Sequence, residues 1–569
     1  MLQKEWVLAQ RAPAEHLERY HECSPILAQL LFNRGFEDPH AAQEFVNGKA
    51  LSEDPFELKD VDAAVTRIND AVAEREPIAV YGDFDADGIC ATALMTQTLR
   101  ALGGDVTPYI PDRADEGYGL NAPALEKLAR RGIKLLVTVD CGIRSVAEVA
   151  AGIRAGLDII VTDHHSIGPD LPAALAVINP RQEDCAGEAR LAGVGVAFML
   201  AKALLLHRWG TKRDHYPADF RLSDLLDLVA LGTVADVVPL NVGLNRRLVK
   251  HGLATINEVR RPGIAALAQV AGLKPGSIRA SDIGFGLGPR INAAGRLHTA
   301  MAAYDLLCSA SFEDAMPRAQ VLQSLNAQRQ QLTRRAQAVI SEQVGEVPDL
   351  PLIFAGDEDI QPGIVGLVAG RLAEAFYRPA VILEIGEDES RASCRSIPEF
   401  NITSALDECA DLLVRHGGHA MAAGFTVRNS NIEALRSALE QKAEAALRGR
   451  ALAPKLQIDS EVQLEDLNEI LLHELDLLEP TGHENGKAAF LTRELGVLHC
   501  RRVGEDGRHL KLRVANHKGG QADAIGFGLG EWARRMPRRI DAVYHAEINA
   551  WGGRRNLQLQ LLDICPAAV

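Results

Sequence analysis

In the stretch "YGDFDADG", the acidic residues Asp83, Asp85 and Asp87 occupy alternate positions directly after the apolar run Ile78–Tyr81. Three carboxylates so close together repel one another and lower stability unless a cation neutralises them. A calcium loop between two helices is one alternative, but its glycine at the sixth position and its distant glutamate are not supplied by a strand followed by a helix. An ordinary solvated loop is the other alternative. The spacing favours ligands for a divalent cation.

Side chains of the same chemistry follow three further apolar runs. "VTDHHS" contains Asp163, His164 and His165, "VTVDCG" contains Asp140, and "LVALGTVADVVPL" places Asp236 after a long apolar helix. Taken singly, Asp140 is better interpreted as the N-cap of a helix than as a ligand. Four clusters of this kind, each at the end of an apolar element, are not explained by capping or by solvated loops, and they indicate one site.

The combination of carboxylates and imidazoles suits Mn²⁺ or Mg²⁺, because the clusters offer hard oxygen ligands and no thiolate for zinc. Two such ions about 3.5–4 Å apart activate a water molecule and stabilise both oxygens of an in-line phosphoryl displacement. Ions that close need a shared carboxylate, and Asp140, the lone aspartate of its motif, is the candidate. The predicted chemistry is hydrolysis of a phosphate ester at a centre with two metal ions.

These residues must be positioned by the elements that precede them. From residue 77 to about 178, apolar strands alternate with amphipathic helices, which is the pattern of a parallel sheet with helices on both faces. In such sheets ligands bind at the carboxyl ends of the strands, where the acidic clusters fall. Farther along, Leu322, Leu325, Leu332 and Ala336 recur at helical spacing and predict a long helix that connects two domains.

A chain of 569 residues is too long for one core and predicts several domains. Short strands separated by glycine-rich turns near the end of the chain predict a small β-barrel. The expected architecture is α/β, with five parts: an N-terminal helical lead-in (1–50), a parallel-sheet catalytic domain (51–310), a connecting helix (311–345), a smaller α/β domain (346–450) and a C-terminal β-barrel domain (451–569).

The composition excludes several classes of protein. Hydrophobic residues make up 47% and charged residues 24% of the chain, as in ordinary globular proteins. No apolar run approaches the roughly 18 residues of a membrane helix, and "MLQKEWVLAQRAPAEH" lacks the apolar core and cleavage site of a signal peptide. Nine cysteines without a CxxC pair suit a reducing compartment. We therefore expect a cytoplasmic protein that does not enter a membrane.

The net charge of −15 argues against binding of nucleic acid, but the distribution of charge does not. Residues 501–555 contain twelve Lys or Arg and six Asp or Glu, a local charge of +6. Trp551 and Tyr544 are candidates for stacking on bases there, although for Tyr544 a place in the barrel core is the better interpretation. A basic barrel with aromatic residues predicts binding of single-stranded nucleic acid.

With these motifs in place, the sequence resembles the DHH phosphoesterase superfamily, named after the motif spelled here by residues 163–165. "VYGDFDADGICATALM", "VTVDCG", "VTDHH" and "ALGTVADVVPL" match its four catalytic motifs, and "GFGLGPRINAAGRL" matches a stretch of its branch of single-strand-specific 5′→3′ exonucleases. "CRSIPEFNI" and "RHGGHAMAAGF" match its second, DHHA1-type domain, and the barrel resembles the OB-fold of that branch. The resemblance covers almost the whole chain.

The resemblance implies that two Mn²⁺ or Mg²⁺ ions are held by five residues of the motifs: Asp83, Asp85, Asp140, His164 and Asp236. His165 would contact the scissile phosphate or tune the ligands, while Asp87 and Asp163 would support the ligands or orient the histidines. Ala79 stands where members that act on small substrates have a histidine ligand, a departure shared with the nuclease branch. One metal position is therefore expected to have fewer protein ligands.

An exonuclease also needs groups that recognise the end of the strand. By the resemblance, Arg113, Ser393 and Arg395 clamp a 5′-phosphate, for which arginine offers charge-assisted, bidentate contact. The alternative for any one exposed arginine is solvation. Gln361 and Pro362 stand where the family has an aromatic residue and a histidine, which puts any role of that position in doubt.

Two further stretches are candidates for contact with the strand. In "GPRINAAGR", Arg290 and Arg296 flank Asn292, and the glycines allow close approach of the backbone. In "HGGHAMAAG", His416 and His419 either contact phosphate or cap a helix, and contact is the favoured interpretation. These residues predict a track for the strand between the two α/β domains.

Three functions fit the sequence. The first is an exonuclease that degrades single-stranded DNA from its 5′ end to 5′-mononucleotides in repair and recombination. For this monomeric enzyme the resemblance implies a single-strand-binding protein and a repair helicase as partners. The second is a DHH phosphodiesterase acting on short oligonucleotides or small phosphate compounds, against which the basic barrel and the long helix weigh. The third is a scaffold without activity, against which the retained carboxylates and imidazoles weigh.

Overall fold

The structure is a computed structural model of the chain. It describes residues 4–48, 51–113, 116, 117, 119–210, 220–241, 243–345, 350–551 and 554–567, with the side chains of 549–551 and 554–555 excepted. All nine cysteines are free thiols. Within the described ranges, we find no helix whose length and apolarity would let it cross a membrane.

The N-terminal segment, predicted as helical, also contains a strand. The order is β1 (Glu5–Leu8), α1 (Ala14–Arg19), α2 (Pro25–Asn33) and α3 (Pro39–Asn47). Ser24 and Asp38 are the N-caps of α2 and α3, where each side chain accepts backbone N–H groups of the first turn. A proline follows each cap, as the first position of a helix favours.

The predicted parallel sheet is present in the catalytic domain. Its strands lie in the order β3-β2-β4-β5-β6, all parallel. The central strands are buried along their length, because helices cover both faces, and this explains their continuous apolar runs. The strands are β2 (Pro77–Gly82), β3 (Asp105–Tyr109), β4 (Leu135–Val139), β5 (Asp158–Thr162) and β6 (Ala176–Ile178).

Helices pack around this sheet and extend the domain beyond it. Two of them, α8 and α9, are apolar around their whole circumference and form its buried centre. The helices are α4 (Val61–Glu74), α5 (Ala86–Ala101), α6 (Ala122–Arg130), α7 (Val146–Arg154), α8 (Gly193–Trp209), α9 (Leu226–Ala235), α10 (Gly243–Asn257), α11 (Pro262–Val270), α12 (Ala280–Asp282), α13 (Gly288–Leu297) and α14 (Met301–Leu307).

The predicted long helix is α15 (Phe312–Val344). Its first half packs on α11, α13 and α14 of the catalytic domain, and its second half packs on the next α/β domain. In that domain the strand order is β10-β11-β9-β8-β7. Its elements are β7 (Ile353–Asp357), α16 (Val365–Phe376), β8 (Ala380–Glu384), β9 (Glu389–Arg395), α17 (Ile402–Asp407), β10 (Leu413–His419), β11 (Ala422–Arg428) and α18 (Ile432–Leu447).

The C-terminal region is the predicted barrel, closed by the pairing of β14 with β17. Tyr544 is fully buried, and its hydroxyl lies 2.6 Å from Oγ1 of Thr492, so its expected place in the barrel core is confirmed. The side chain of Trp551 lies outside the described residues. The elements are β12 (Lys455–Ile458), β13 (Ser460–Glu461), α19 (Glu469–Leu477), β14 (Phe490–Val503), β15 (His509–Ala515), β16 (Gln521–Gly526), β17 (Arg539–Trp551) and β18 (Arg554–Pro566).

The N-terminal segment shares the core of the barrel. Strand β1 pairs in parallel with β12, from Glu5 with Lys455 to Leu8 with Ile458, although most of the chain lies between the two strands. Leu27 and Leu30 of α2 and Phe45 of α3 are buried in one cluster with Phe490 and Leu510 of the barrel. The two ends of the chain therefore form one packed unit, which local patterning does not reveal because the contacts span almost the whole sequence.

Candidate metal centre and strand-end pocket

The strand order brings three of the predicted motifs to one edge of the catalytic sheet. β2, β4 and β5 are neighbours, and because they run parallel their carboxyl ends meet. Asp83 follows β2, Asp140 follows β4 and Asp163 follows β5. Asp236 joins them from the C-terminal end of α9. Residues that are far apart in the sequence are thus collected by the topology.

In the first motif, Asp85 is the N-cap of α5. Its Oδ1 accepts the N–H groups of Asp87 at 2.9 Å and Gly88 at 3.1 Å. Only glycine fits at position 88, because a Cβ there would lie 2.6 Å from Cβ of Asp83. Asp83 itself is buried, and in the described part of the chain its Oδ1 has no hydrogen-bond partner. The turn therefore buries a carboxylate oxygen that no described neighbour satisfies.

Asp140 does not cap a helix, which was the alternative for this residue taken singly. Its backbone lies in the left-handed region at φ +62°, and Gly142 follows at φ +111°. A non-glycine residue in this region costs on the order of 1–3 kcal/mol and is found at functional sites. Gly193 lies against the carboxylate, because a Cβ there would lie 2.6 Å from Cγ of Asp140. Two elements thus fix this side chain at the edge of the sheet.

His164 faces several carboxylates at once. Its Nε2 lies 3.2 Å from Oδ1 of Asp140, 3.6 Å from Oδ2 of Asp236 and 4.0 Å from Oδ2 of Asp87. Burial, together with the charge of His165, lowers the pKa of His164 to about 4, so the ring is neutral at pH 7. Among the described residues, neither ring nitrogen of His164 nor Oδ1 of Asp140 has a hydrogen bond of acceptable geometry. Buried, unsatisfied lone pairs that converge are suited to a shared cation.

Within the described residues, the side chains form overlapping groups whose potential ligand atoms lie within 4.8 Å of one another. Every predicted ligand belongs to one of these groups, and Asp140 and His164 each belong to two. The groups are Asp140 with His164 and His165, Asp87 with His164 and Asp236, and Asp83 with Asp85 and Asp140. The carboxylates and imidazoles fit Mn²⁺ or Mg²⁺, and the double membership of Asp140 fits a shared ligand.

Asp87 is held by the start of another helix. Its Oδ2 accepts the N–H of Gly193 at 2.7 Å and its Oδ1 accepts the N–H of Val194 at 2.9 Å, both in the first turn of α8. Burial and the charge of Asp85 nevertheless raise the pKa of Asp87 to about 7. A role for Gly193 was not predicted, because a glycine at the start of a helix has no local signal of this kind. Asp87 therefore ties α8 to the metal motif.

Asp163 organises the histidine motif. Its Oδ1 accepts the N–H of His164 at 2.7 Å and lies 2.7 Å from Nδ1 of His165, while its Oδ2 accepts the N–H of Ile143 at 2.9 Å. Burial favours a higher pKa for Asp163, but the hydrogen bonds and charge of His165 outweigh it and lower the pKa. Burial also favours a lower pKa for His165, and the hydrogen bond to Asp163 reverses this. Asp163 thus contacts both the backbone and the ring of His165.

The acidic cluster is electrostatically strained as a set of free carboxylates. Burial, followed by the charges of Asp87 and Asp85, raises the pKa of Asp236 to about 9. Burial and neighbouring aspartates raise the pKa values of Asp83 and Asp140 well above the ordinary range. Desolvation and like charge are the causes in each case. A bound divalent cation would offset both the desolvation of these carboxylates and their mutual repulsion. This edge of the sheet is therefore suited to bind a divalent metal.

The predicted phosphate clamp lies where the two α/β domains meet. Nη1 of Arg395 donates to Oγ of Ser393 at 3.1 Å. Both side chains face the first turn of α16, because a Cβ on Gly366 would lie 2.9 Å from that Oγ and 3.1 Å from Nη2 of Arg395. The guanidinium of Arg113 lies 4.8 Å from the centre of the Phe84 ring, next to the metal motif. Arg113 therefore lies beside the metal motif, while Ser393 and Arg395 belong to β9 of the second domain.

Arg296 interacts with Arg113 and Arg395 of this group, and also with Arg329. Nη1 of Arg296 donates to the backbone oxygen of Gly363 at 3.0 Å, just before α16. Burial, and then the charges of Arg113 and Arg329, lower the pKa of Arg296 to about 10. Arg329 of α15 was not predicted, because an arginine on a polar helix has no sequence signal for a role in binding. The term strand-end pocket is used below for Arg113, Arg296, Ser393 and Arg395 with the first turn of α16.

The remaining predicted strand contacts have structural partners. Oδ1 of Asn292 accepts the N–H of Ala86 at 2.8 Å, so Asn292 positions the first metal motif. Arg290 donates to Oε1 of Gln323 at 2.8 Å and to the backbone of the preceding turn. His416 pairs with Asp407 at 2.9 Å. His419 is exposed at the end of β10, and β11 separates it from β9, the strand that carries Arg395.

Known families match three segments of the chain. The match is to the DHH family, N-terminal domain, over residues 77–233, to the DHHA1 domain over 344–445 and to the RecJ OB domain over 458–563. A relative from Bacillus subtilis (strain 168), the single-stranded-DNA-specific exonuclease RecJ, is 37% identical over 547 residues, which covers 95% of this chain and 68% of the relative. The chain belongs to the RecJ family.

Solved structures of RecJ share this fold. RecJ from Thermus thermophilus in complex with Mn²⁺ superimposes with a TM-score of 0.84 at 31% identity, covering 99% of this chain and 80% of that chain. The complex of RecJ from the same organism with Mg²⁺ gives a TM-score of 0.77 at 29% identity, covering 99% and 79%. The expected fold, with DHH, DHHA1-type and OB domains, is confirmed. One of these RecJ structures contains Mn²⁺ and the other Mg²⁺, the two alternatives that the sequence predicts.

Proposed function

We propose that this chain is a metal-dependent exonuclease that degrades single-stranded DNA in the 5′→3′ direction to 5′-mononucleotides in repair and recombination. The observation that carries the proposal is the strand-end pocket beside the acidic and histidine cluster, with Arg113 next to Asp83 and Asp85. The name of the Bacillus subtilis relative supports the same substrate. The alternative, a phosphodiesterase for short oligonucleotides or small phosphates, is not favoured, since such a substrate has no use for a basic barrel.

The metal ligands that we propose are Asp83, Asp85, Asp140, His164 and Asp236. When two Mn²⁺ or Mg²⁺ ions are bound, they supply activation of water and neutralisation of the charge that develops on the phosphate. Within the described residues, Asp140 and His164 present to this site side-chain atoms that have no hydrogen-bond partner. Asp87 accepts a hydrogen bond from the first turn of α8 and so fixes the start of that helix beside the site. We propose that His165, which Asp163 contacts, donates a hydrogen bond to the scissile phosphate.

The direction of degradation follows from the strand-end pocket. We propose that Arg113, Ser393 and Arg395 hold the terminal 5′-phosphate, with Arg296 beside them. The next phosphodiester then lies at the acidic cluster. Hydrolysis there breaks the bond between phosphorus and the 3′-oxygen, which takes up a proton, while the oxygen of water joins the phosphate. One 5′-mononucleotide leaves, and the shortened strand carries a new 5′-phosphate that can enter the same pocket.

The rest of the strand would run along the surface toward the barrel. Arg290 and His419 are proposed contacts to its interior phosphates, and Asn292 contributes by fixing the metal motif. The charge of +6 over residues 501–555 supplies the field that attracts the strand. We also propose that the enzyme is monomeric, works at the nucleoid in the cytoplasm and meets a single-strand-binding protein and a repair helicase there.

We propose the domain boundaries predicted from the sequence, because each part then carries one component of this function. Residues 51–310 carry the metal site, 311–345 the connecting helix and 346–450 the clamp for the strand end. Residues 451–569 carry the barrel, and 1–50 complete its core. The assignment of 1–50 to the barrel unit rests on the shared apolar cluster.

The experiment that tests the proposed function compares degradation of labelled single-stranded DNA, duplex DNA and dinucleotide with Mn²⁺, with Mg²⁺ and with EDTA. We expect progressive release of mononucleotides from the single strand with either metal, and none with EDTA. A closed single-stranded circle should resist attack, since it has no end to enter the pocket. Preference for the dinucleotide over the long strand would support the alternative function instead.

A further inference from the structure

The strand-end pocket continues into a larger group of arginines, which adds Arg329 of α15 and Arg371 of α16. Each of the two is bonded to a neutral group: Arg329 donates to Oδ1 of Asn326 at 2.9 Å and Arg371 to Oε1 of Gln337 at 3.5 Å. The extension is built by two helices that pack on each other, α15 and α16.

In the described part of the chain, no carboxylate pairs with this group. None of Arg113, Arg296, Arg329, Arg371 and Arg395 forms an ion pair with Asp or Glu there; the neutral partners are backbone oxygens, a serine and two amides. Surface arginines elsewhere in the chain do have such partners, for example Arg318 with Asp314 on the same long helix. Several guanidiniums that repel one another and lack an acidic partner form a site for an anion.

The electrostatic interactions give this group an order. The carboxylates of Asp83 and Asp85 act on Arg113, so Arg113 is the member nearest the metal site. Arg296 interacts with Arg113 on one side and with Arg329 on the other. Arg329 in turn interacts with Arg371. On α16, Gly366 faces Ser393 and Arg395, a Cβ on Gly370 would lie 3.9 Å from Cγ of Arg395, and Arg371 follows directly. The positive charge thus continues along α16 from the strand-end pocket.

The first turn of α16 adds donors to the same place. Gly363 lies on the backbone of Arg296, since a Cβ there would lie 3.3 Å from its Cα, and Gly366 faces Ser393 and Arg395. The N-cap of α16, Ile364, has no side chain that could accept the first N–H groups of this turn. Such N–H groups at the start of a twelve-residue helix favour phosphate, and here they add to the guanidiniums rather than stand alone.

We infer that Arg329 and Arg371 form a subsite for the second and third phosphates of a strand that ends in a 5′-diphosphate or 5′-triphosphate. This inference rests on the proposed function, because it assumes that the terminal 5′-phosphate lies at Arg113, Ser393 and Arg395. A terminal monophosphate carries only about two negative charges, fewer than the arginines gathered here. Further phosphates on the same end would reach from the strand-end pocket toward Arg329 and Arg371 on the packed helices α15 and α16.

The reaction on such an end is the same hydrolysis, one nucleotide from the terminus. Water adds to the first internucleotide phosphorus, the bond to the 3′-oxygen of the first nucleotide breaks, and that oxygen takes up a proton. The product is a nucleoside 5′-triphosphate, and the strand that remains has a 5′-monophosphate. No oxidant or second substrate is needed.

The test uses the full-length protein and three oligodeoxynucleotides of one sequence with a 5′-hydroxyl, a 5′-monophosphate or a 5′-triphosphate. We expect the triphosphate end to be cut with a kcat/KM within about threefold of the monophosphate end, releasing nucleoside triphosphate. In the double variant Arg329→Gln and Arg371→Gln, the loss of charge-assisted bonds should lower kcat/KM for the triphosphate end roughly tenfold or more and leave the monophosphate end within about threefold. Arg334→Gln, at an exposed position of α15, is the matched control and should change neither value.

A second measurement does not depend on activity. In EDTA, inorganic triphosphate should displace a fluorescent 5′-phosphorylated strand at a concentration at least about tenfold lower than orthophosphate does, and the double variant should lose this difference. A wild-type protein that cuts the monophosphate end but rejects the triphosphate end would overturn the inference and leave the proposed function standing. Failure to cut any end would overturn the proposed function, and the displacement assay would then decide the anion site by itself.

Discussion

Nε2 of His164 and Oδ1 of Asp140 lie 3.2 Å apart at the ends of neighbouring parallel strands, and within the described residues neither atom has a hydrogen bond of acceptable geometry. The imidazole is neutral at pH 7, and in the tautomer with its proton on Nδ1 both atoms present lone pairs to the same small space. A pair of buried acceptors costs stability unless a donor or a cation lies between them. The apposition of β4 and β5 therefore creates the metal site.

Replacing Asp140 with asparagine should reduce hydrolysis of single-stranded DNA to below a few per cent of the native rate and leave binding of the strand nearly unchanged. Asp140 belongs to two of the ligand groups, so losing its charge should weaken both metal positions. Rates at saturating Mn²⁺ and the affinity for a labelled strand by anisotropy are the measurements. A variant that keeps a substantial fraction of the rate would remove Asp140 from the centre.

Gly193→Ala should impair activity because the added methyl group would contact the carboxylate of Asp140 and disturb its backbone position. The N–H of the same residue holds Asp87, so the first turn of α8 should shift as well. We expect a loss of kcat on the order of tenfold or more with a modest loss of stability. Gly195→Ala on the same helix is the control, since its nearest neighbour is the flexible end of Leu191 at 3.3 Å. Equal effects of the two substitutions would contradict the proposed contact.

The stabilising effect of Mn²⁺ should grow with pH. Burial raises the pKa of Asp87 to about 7 and that of Asp236 to about 9, whereas aspartates of an unfolded chain titrate near about 3.9. The folded, metal-free protein therefore binds protons more tightly, and the stability gained by protonation is complete below pH of about 4 and lost as the pH rises through about 7 and 9. Metal binding releases these protons, so the shift in melting temperature between EDTA and Mn²⁺ should be larger at pH of about 9 than at about 6. A shift independent of pH would count against this account of the cluster.

Arg395→Ala should abolish the preference for a 5′-phosphate over a 5′-hydroxyl. A guanidinium paired with a terminal phosphate makes charge-assisted bonds that a hydroxyl cannot replace, worth on the order of 1–3 kcal/mol or roughly ten- to a hundredfold in binding. The comparison is kcat/KM for the two ends in native and variant protein, with Mn²⁺ binding as a control for the metal site. A strand labelled at its 3′ end should keep the label on the long fragment until late. Early release of that label would reverse the proposed polarity.

Removing the barrel, residues 454–569, should weaken binding of the strand and flatten the slope of log affinity against log salt. Each neutralised phosphate of a single strand contributes about −0.7 to that slope, and the removed region includes the basic stretch 501–555, whose charge is +6. The deletion also exposes Leu27, Leu30 and Phe45, whose partners lie in the barrel. A chain that lacks both 1–48 and 454–569 should therefore melt at a higher temperature than the chain that lacks 454–569 alone. An unchanged salt slope would show that the barrel is not part of the track.

Much of the metal site could be predicted from the sequence because its signals are local. Asp83, Asp140 and Asp163 directly follow apolar runs that can only be buried strands, and parallel strands place their carboxyl ends together. The alternation of strands and helices predicted that the strands run parallel. The apolar periodicity of α15 predicted a single long helix. Tyr544 was assigned to the barrel core for the same reason, an apolar ring on an alternating strand.

Other features were decided by the tertiary structure alone. The bonds from the first turn of α8 to Asp87, the interaction of Arg329 with Arg296 and the pairing of β1 with β12 join residues far apart in the sequence. Each depends on the angle and offset at which two elements pack, and these follow from the fit of many side chains at once. The sequence by itself determined which residues could bind metal and phosphate. Only the packing determined which of them share a site, because distance in space is not a local property of the chain.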